Sequence, residues 1–159
     1  MKSLLNAMDH YTEGSFILTQ SVGFTLTQAR NMMTQARNII TAEMDAALKD
    51  LDITSQQMGI VLSVNRGVAA TPFELSKLLS IDTGLMTRML DRLETKGLLE
   101  RSRSVDDRRV VNLTLTVKGE ALAARIPEIA PQLLNARLKK FTKAEFAELR
   151  RLLHKFIGE

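Results

Sequence analysis

The sequence contains no cysteine and no long apolar run. Without cysteine the chain forms no disulfide and has no thiolate for catalysis, redox sensing or metal binding, so cysteine usage does not fix its compartment. No apolar run approaches the roughly 18 residues that a membrane-spanning helix needs. The N-terminal segment carries Asp9 and Glu13 and lacks the apolar core of a signal peptide. These absences predict a cytoplasmic protein that does not associate with membranes.

The sequence also lacks the residue groupings that enzymes and metal sites use. Its two histidines, His10 and His154, lie far apart without a neighbouring ligand cluster, which argues against a zinc site. Ser15 and Ser21 have no nucleophile-elbow motif, paired histidine or oxyanion-hole glycines around them. The paired acids at positions 106–107 fall in a loop, where the burial that activates a catalytic carboxylate is not expected. We therefore predict neither an enzyme nor a bound metal or cofactor.

The charge of the chain is unevenly distributed. Its 159 residues are 45% hydrophobic and 25% charged, which is typical of one globular domain spanning residues 1–159. Residues 1–60 carry a net charge of −2 and residues 61–159 a net charge of +6. A basic C-terminal portion is typical of proteins that bind a polyanion, although many basic proteins bind no nucleic acid.

A long amphipathic helix is predicted from Phe24 to Leu51, because apolar side chains recur there at three- and four-residue spacing. Residues 1–20 have a mixed pattern and are interpreted as a tail or a short helix. Thr54, followed three residues later by a glutamine, forms a capping-box pattern that begins a second helix. This second helix is predicted to end near Gly67.

The next segment predicts two helices separated by about three residues, the spacing of a helix-turn-helix motif. The stretch TPFELSKLL, residues Thr71–Leu79, places a cap, a proline and a glutamate at positions that favour a helix start. Asp82 or Thr83 caps the following helix, which runs to Lys96, where Gly97 supplies the stop. Its apolar residues share one side, and its outer side is polar and carries Thr83, Thr87, Arg88, Asp91 and Arg92.

A β-hairpin is predicted directly after the helix-turn-helix. Leu98–Arg103 and Val110–Leu115 form its two strands, and the second strand alternates between two faces. The loop between them, SVDDRR, places Arg108 and Arg109 at the tip. The hairpin is therefore interpreted as a wing beside the helix pair.

Two further helices are predicted at the C-terminus. Thr116 begins the first, which Pro127 and Pro131 should kink or interrupt because each removes an amide donor. Thr142 begins the second with another capping box. This last helix is predicted to bury Phe146, Leu149, Leu152, Leu153 and Phe156.

A helix-turn-helix followed by a hairpin predicts DNA binding, with one helix in the major groove and the hairpin tip at the backbone or the minor groove. Arginine suits this tip because the narrow minor groove concentrates negative potential and a guanidinium is weakly hydrated. Arg109 is predicted to enter the groove and Arg108 to contact phosphate, whereas Asp107 supports the wing by holding the arginine in position. The alternative for these arginines is a solvated surface charge or an ion pair with Asp107.

At this point the sequence resembles a known family. The stretches GLMTRMLDRLETKGLLER and DRRVVNLTLTVKG are similar to the recognition helix and wing of the MarR family of winged-helix transcriptional regulators. Asp107 and Arg109 match the wing acid and the minor-groove arginine of that family, and Leu115, Thr116 and Gly119 match the continuation. The resemblance covers roughly residues 54–119 at the level of these motifs.

The resemblance implies a mainly α fold with a small β-hairpin wing, an α+β winged helix-turn-helix. Residues 54–115 would form the DNA-binding lobe, and residues 21–51 and 116–157 the helical dimerisation region. A homodimer would then bind a pseudo-palindromic operator in double-stranded DNA. Apolar residues on the first and last helices, which a small winged core does not cover, independently favour an interface. The resemblance also implies a repressor that leaves its operator when a small aromatic acid or a phenolic compound binds.

Several alternatives stay open at this stage. The same fold serves ligand-blind regulators, activators and protein-interaction modules, although the last would need an apolar outer face on the second helix of the motif. Arg88 and Arg92 are predicted to contact DNA bases or phosphates with Thr83 and Thr87, but could instead pair with acids on their own helix. Four methionines at helical spacing belong either to the core or to a small-molecule pocket: Met32, Met33, Met44 and Met58.

Overall fold

The computed structural model describes residue 10, residues 15–103 and residues 109–158. The chain divides into two compact units, residues 1–40 and residues 41–159. In the first unit, a 3-10 turn at Leu18–Gln20 precedes the start of the first helix. Ser21 joins the two, since its hydroxyl donates to the Leu18 carbonyl and accepts from the Phe24 amide. Most of the segment interpreted as a tail or short helix lies outside the described residues.

Within the described residues, six α-helices and a two-stranded antiparallel sheet follow one another in the order predicted. The elements are α1 (Val22–Ala47), α2 (Ser55–Asn65), α3 (Pro72–Leu79), α4 (Thr83–Thr95), β1 (Leu99–Arg103), β2 (Val111–Leu115), α5 (Val117–Leu138) and α6 (Lys143–Ile157).

The first helix ends earlier than predicted. After α1 the chain tightens into a 3-10 turn at Lys49–Leu51, and Asp52 adopts a left-handed conformation with φ of 55°. This turn directs Leu48 and Leu51 into the core, where both are buried. The spacing of apolar residues predicted a helix as far as Leu51 because that spacing indicates which residues are buried. It does not distinguish an α-helix from a 3-10 turn.

Side-chain caps begin the helices of the second unit as predicted. Capping boxes form at Thr54, Thr71 and Thr142, and Asp82 rather than Thr83 caps α4. At the start of α3 the Glu74 carboxylate accepts hydrogen bonds from the amides of Ala70, at 2.8 Å, and Thr71, at 3.0 Å. These bonds, that of Ala70 above all, hold the pKa of Glu74 below its usual range.

The winged lobe is built around a hydrophobic core. Its fully buried members are Leu48, which follows α1, and residues of α2, α3, α4, β1 and α5. Each such side chain contributes roughly 1.5–3 kcal/mol on burial. In the hairpin Leu99 pairs with Leu115 and Arg103 with Val111, and the Leu113 amide donates to the Ala70 carbonyl at 2.8 Å. The wing is thereby attached to the loop that precedes α3.

The prolines do not interrupt α5, so that alternative is wrong. The helix is continuous from Val117 to Leu138 with Pro127 and Pro131 inside it. Each proline removes one backbone hydrogen bond, which usually destabilises a helix. Here Ile126 is buried, and the apolar residues around the prolines pack against the same core: Ile129, Ala130 and Leu133. Tertiary packing therefore outweighs the local preference of the sequence.

The prediction that α6 buries its apolar stripe is wrong for the single chain. The five side chains are 40–59% exposed: Phe146, Leu149, Leu152, Leu153 and Phe156. The amphipathic spacing is real, but among the described residues of one chain nothing covers this face. The exposure agrees with the separate prediction that apolar stripes of the terminal helices mark an interface.

The end of α4, the start of β1 and the start of α5 meet closely at the Gly97–Gly119 junction, defined by Lys96–Leu98 and Thr116–Gly119. The Thr116 hydroxyl donates to the Gly97 carbonyl at 2.7 Å and accepts from the Gly119 amide at 3.0 Å. Lys118 donates to the Lys96 carbonyl at 2.8 Å. A Cβ at Gly119 would lie 2.0 Å from the Leu98 carbonyl oxygen, so only glycine fits this position.

We expect Gly119→Ala to destabilise the chain by at least about 2 kcal/mol, because a backbone shift is needed to relieve the overlap. Urea unfolding followed by circular dichroism measures the change. Gly23→Ala is the matched control, since Gly23 is also helical and its Cβ would meet no atom within 4 Å. The control should be neutral or slightly stabilising, and equal stability of the two variants would contradict the close approach.

Candidate nucleic-acid interface

The helix-turn-helix is formed by α3, a three-residue turn and α4. Ser80 ends α3 in a left-handed conformation with φ of 52°. Asp82 then begins α4 by accepting a hydrogen bond from the Leu85 amide at 2.9 Å. Both helices contribute to the core, Leu75 from α3 and Leu90 from α4. This packing fixes the angle at which α4 presents its outer face.

The outer face of α4 is polar, as the sequence predicts. The apolar side is buried through Met86, Met89, Leu90 and Leu93, whereas the four predicted contact residues are all exposed: Thr83, Thr87, Arg88 and Arg92. Among the residues that the structure describes, neither Arg88 nor Arg92 forms an ion pair. The Thr87 hydroxyl donates to the Thr83 carbonyl of the same helix at 2.9 Å.

The acids of α4 pair with β1 and not with arginines of their own helix. Arg101 Nη1 lies 2.6 Å from Asp91 Oδ1 and 3.2 Å from Glu94 Oε2. Its Nη2 donates a long hydrogen bond, 3.4 Å, to the Thr87 carbonyl. The alternative in which Arg88 and Arg92 pair along α4 is therefore wrong. Sequence analysis missed Arg101 because the pairing depends on how the hairpin folds back onto the helix.

The structure describes only part of the wing tip. Residues 104–108 lie outside the described residues, so the predictions for Asp107 and Arg108 stay predictions. Arg109 is exposed and lies two residues before β2 begins. The hairpin follows directly after α4. Gly97 adopts a φ of 64° after the helix, and β1 begins at Leu99.

A cavity of about 490 Å³ lies between the C-terminal part of α1 and α5. It is lined by Glu43, Ala46, Leu133, Ala136 and Arg137. Arg137 donates two hydrogen bonds to the Glu43 carboxylate, the one from Nε at 2.9 Å. This pairing lowers the pKa of Glu43 and raises that of Arg137.

No methionine among the described residues lines this cavity. The cavity therefore does not support the interpretation that the four methionines line a small-molecule pocket. Met44 is buried in the core and Met58 packs against it, as the core interpretation predicts. Met32 and Met33 are exposed on α1, at 67% and 48%. Within the described ranges no cluster of histidine and acidic side chains has the arrangement that holds a metal ion. The same ranges contain no helix that is long and apolar enough to cross a membrane.

A helix-turn-helix whose exposed second helix leads directly into an antiparallel hairpin defines the winged-helix class of DNA-binding proteins. Comparison with known proteins narrows the class. The model of the MarR family matches residues 53–111. The multiple antibiotic resistance protein MarR of Escherichia coli is 40% identical over 111 residues, which are 69% of this chain and 77% of that protein. The chain belongs to the MarR family of winged-helix transcriptional regulators.

Solved structures agree with this assignment. An E. coli MarR variant in complex with operator DNA superposes with a TM-score of 0.73 at 34% identity, covering 86% of this chain and 99% of that one. Bordetella bronchiseptica BpsR, whose DNA binding is regulated by 6-hydroxynicotinic acid, superposes with a TM-score of 0.70 at 27% identity, covering 81% and 98%. The predicted fold class, with its winged helix-turn-helix and its helical region, is confirmed.

We expect Asp82→Ala to destabilise the chain by about 1 kcal/mol, because the first turn of α4 loses its side-chain cap. Asp82→Asn is the matched control, since asparagine caps a helix as well as aspartate does. Urea unfolding of the three proteins gives the comparison. If the alanine and asparagine variants were equally stable, the cap at Asp82 would have no energetic role.

Proposed function

We propose that the chain is a homodimeric repressor that binds a pseudo-palindromic operator and leaves it when a small ligand binds. In this proposal residues 54–115 form the DNA-binding lobe, and residues 21–51 and 116–157 form the dimerisation region. Genomic DNA as the target places the protein in the cytoplasm. No catalytic step is proposed, because a regulator of this kind acts by binding alone.

The exposed polar face of α4 is the observation that carries the proposal. It offers two arginines without ion pairs among the described residues, Arg88 and Arg92, on a helix whose other side is buried. A helix with such a face fits the major groove, where hydroxyl and guanidinium groups contact base edges and phosphates. A protein-interaction module would present an apolar face here. The residues proposed to contact DNA are Thr83, Thr87, Arg88, Arg92, Arg108 and Arg109, with Asp107 supporting the wing.

Dimerisation is proposed from the exposed apolar side chains of the last helix. The stripe on α6 is exposed from Phe146 to Phe156, and burying it against a second copy would remove it from water. A two-fold dimer presents two α4 helices to one side of the duplex, with half-sites about 10 base pairs apart. The E. coli relative, whose structure is a complex with operator DNA, supports duplex DNA as the partner.

Ligand release is proposed from the BpsR relative, whose DNA binding responds to an aromatic acid. The two α4 helices must keep one separation to fit both half-sites, so a ligand that favours another separation weakens binding. A hundredfold loss of operator affinity needs about 2.7 kcal/mol of coupling between the two sites. A small aromatic acid or a phenolic compound is the proposed effector. A ligand-blind regulator and an activator are the alternative functions on the same fold.

We expect Arg109→Ala to weaken binding to the DNA upstream of the chain's own gene and to flatten its salt dependence. Each cationic side chain removed from the DNA reduces the slope of log K against log salt by about 1, because fewer counterions are released, so a dimer should lose about 2. Fluorescence anisotropy at several salt concentrations measures both quantities. Arg150→Ala is the matched control, because it removes the same charge from exposed α6. An unchanged affinity and slope for Arg109→Ala would remove this residue from the interface.

We expect 6-hydroxynicotinic acid or another small aromatic acid to lower the affinity of the protein for DNA by at least about tenfold. The matched control is the corresponding amide, which keeps the ring but has no carboxylate. The same anisotropy assay at constant ionic strength gives the result. If no aromatic acid or phenol changed the affinity, the proposal of ligand release would be replaced by that of a ligand-blind regulator.

A further inference from the structure

Arg101 links the wing to the polar face of α4. Its guanidinium contacts two acids at once, Asp91 and Glu94. Its side chain retains 27% of its accessible surface, whereas those of Asp91 and Glu94 retain 54% and 44%. The Arg101 side chain is therefore the most covered of the three, and the side chains of the two acids are more exposed to solvent.

The positions of these acids on α4 matter for DNA. Thr87, Asp91 and Glu94 follow one another at four- and three-residue spacing, so they form one stripe along the helix. Arg88 and Arg92 form the adjacent stripe. Asp91 therefore lies beside the arginines that are proposed to contact DNA, and a carboxylate there would repel phosphates unless a cation neutralised it.

We infer that Arg101 is a positioning residue for operator binding, which draws the carboxylates of Asp91 and Glu94 towards β1 and offsets one of their two negative charges at the edge of the DNA-binding face. The inference rests on the proposed function and assigns a role to a residue outside the predicted contacts. Arg101 acts through the two acids and does not itself touch DNA. Its bond to the Thr87 carbonyl keeps the guanidinium beside the stripe.

This role predicts a specific pattern of coupling. Without Arg101, two unpaired carboxylates face the duplex, and binding weakens. If the acids are first replaced by their amides, Arg101 has nothing left to neutralise, and its loss should have little effect. A residue that contacted phosphate directly would be needed in both backgrounds. The two cases are separated by a double-mutant cycle.

The experiment compares four proteins for binding to the DNA upstream of the gene: wild type, Arg101→Met, Asp91→Asn/Glu94→Gln and the triple variant. We expect Arg101→Met to weaken binding about tenfold in the wild-type background and less than about threefold in the amide background. The slope of log K against log salt should be the same for wild type and the triple variant, because no phosphate interaction is lost.

Arg103→Met is the matched control, because it removes the same charge from the same face of β1. None of the described acids pairs with Arg103, so its effect on binding should be equal in both backgrounds. Circular dichroism and thermal unfolding verify that each variant is folded. If Arg101→Met alone did not fold, the amide variant and the triple variant would still give the decisive comparison.

Three results would overturn the inference. A triple variant about tenfold weaker than the amide variant would show that Arg101 contacts DNA or orders the wing independently of the acids. A folded Arg101→Met protein that bound as tightly as wild type would show that the acids need no neutralisation. A wild-type protein that failed to bind duplex DNA at low salt would remove the proposed function itself, a failure distinct from the other two.

Discussion

The close approach of α5 to the turn between α4 and β1 is the constraint on which the rest of the structure depends. At the Gly97–Gly119 junction the Leu98 carbonyl oxygen occupies the space where any side chain at position 119 would begin. The Thr116 hydroxyl joins the two segments by donating to the Gly97 carbonyl, and it caps α5 by accepting from the Gly119 amide. Because α5 starts here, these contacts fix the start of α5 against the end of the helix proposed to read DNA.

The charged residues of α4 differ in their partners within the winged lobe. The acids of α4 are paired by Arg101 on the neighbouring strand, which leaves the arginines of the helix for an external partner. We therefore propose two roles for the hairpin. Its tip brings Arg109 to the DNA, and Arg101 on its first strand pairs with the acids on the outer face of α4. Both roles require the register in which Arg103 pairs with Val111, since a slip by one residue would turn Arg101 to the opposite face.

Local signals in the sequence were sufficient for the element order and for the helix starts. The capping boxes at Thr54, Thr71 and Thr142 span only four residues each, and the alternation of residues indicates the hairpin. The continuity of α5 through Pro127 and Pro131 and the pairing of Arg101 with Asp91 were not predictable in this way. Each depends on residues distant in the sequence that meet only in the folded chain.

The central claim is that two identical lobes hold two α4 helices on one side of a duplex. Hydroxyl-radical footprinting of the complex with the DNA upstream of the gene tests it most directly, with the mass of the complex measured by light scattering on the same sample. The account predicts two symmetric protected patches about 10 base pairs apart and two chains per duplex. A single patch with one chain per duplex, or no protection at low salt, would contradict it.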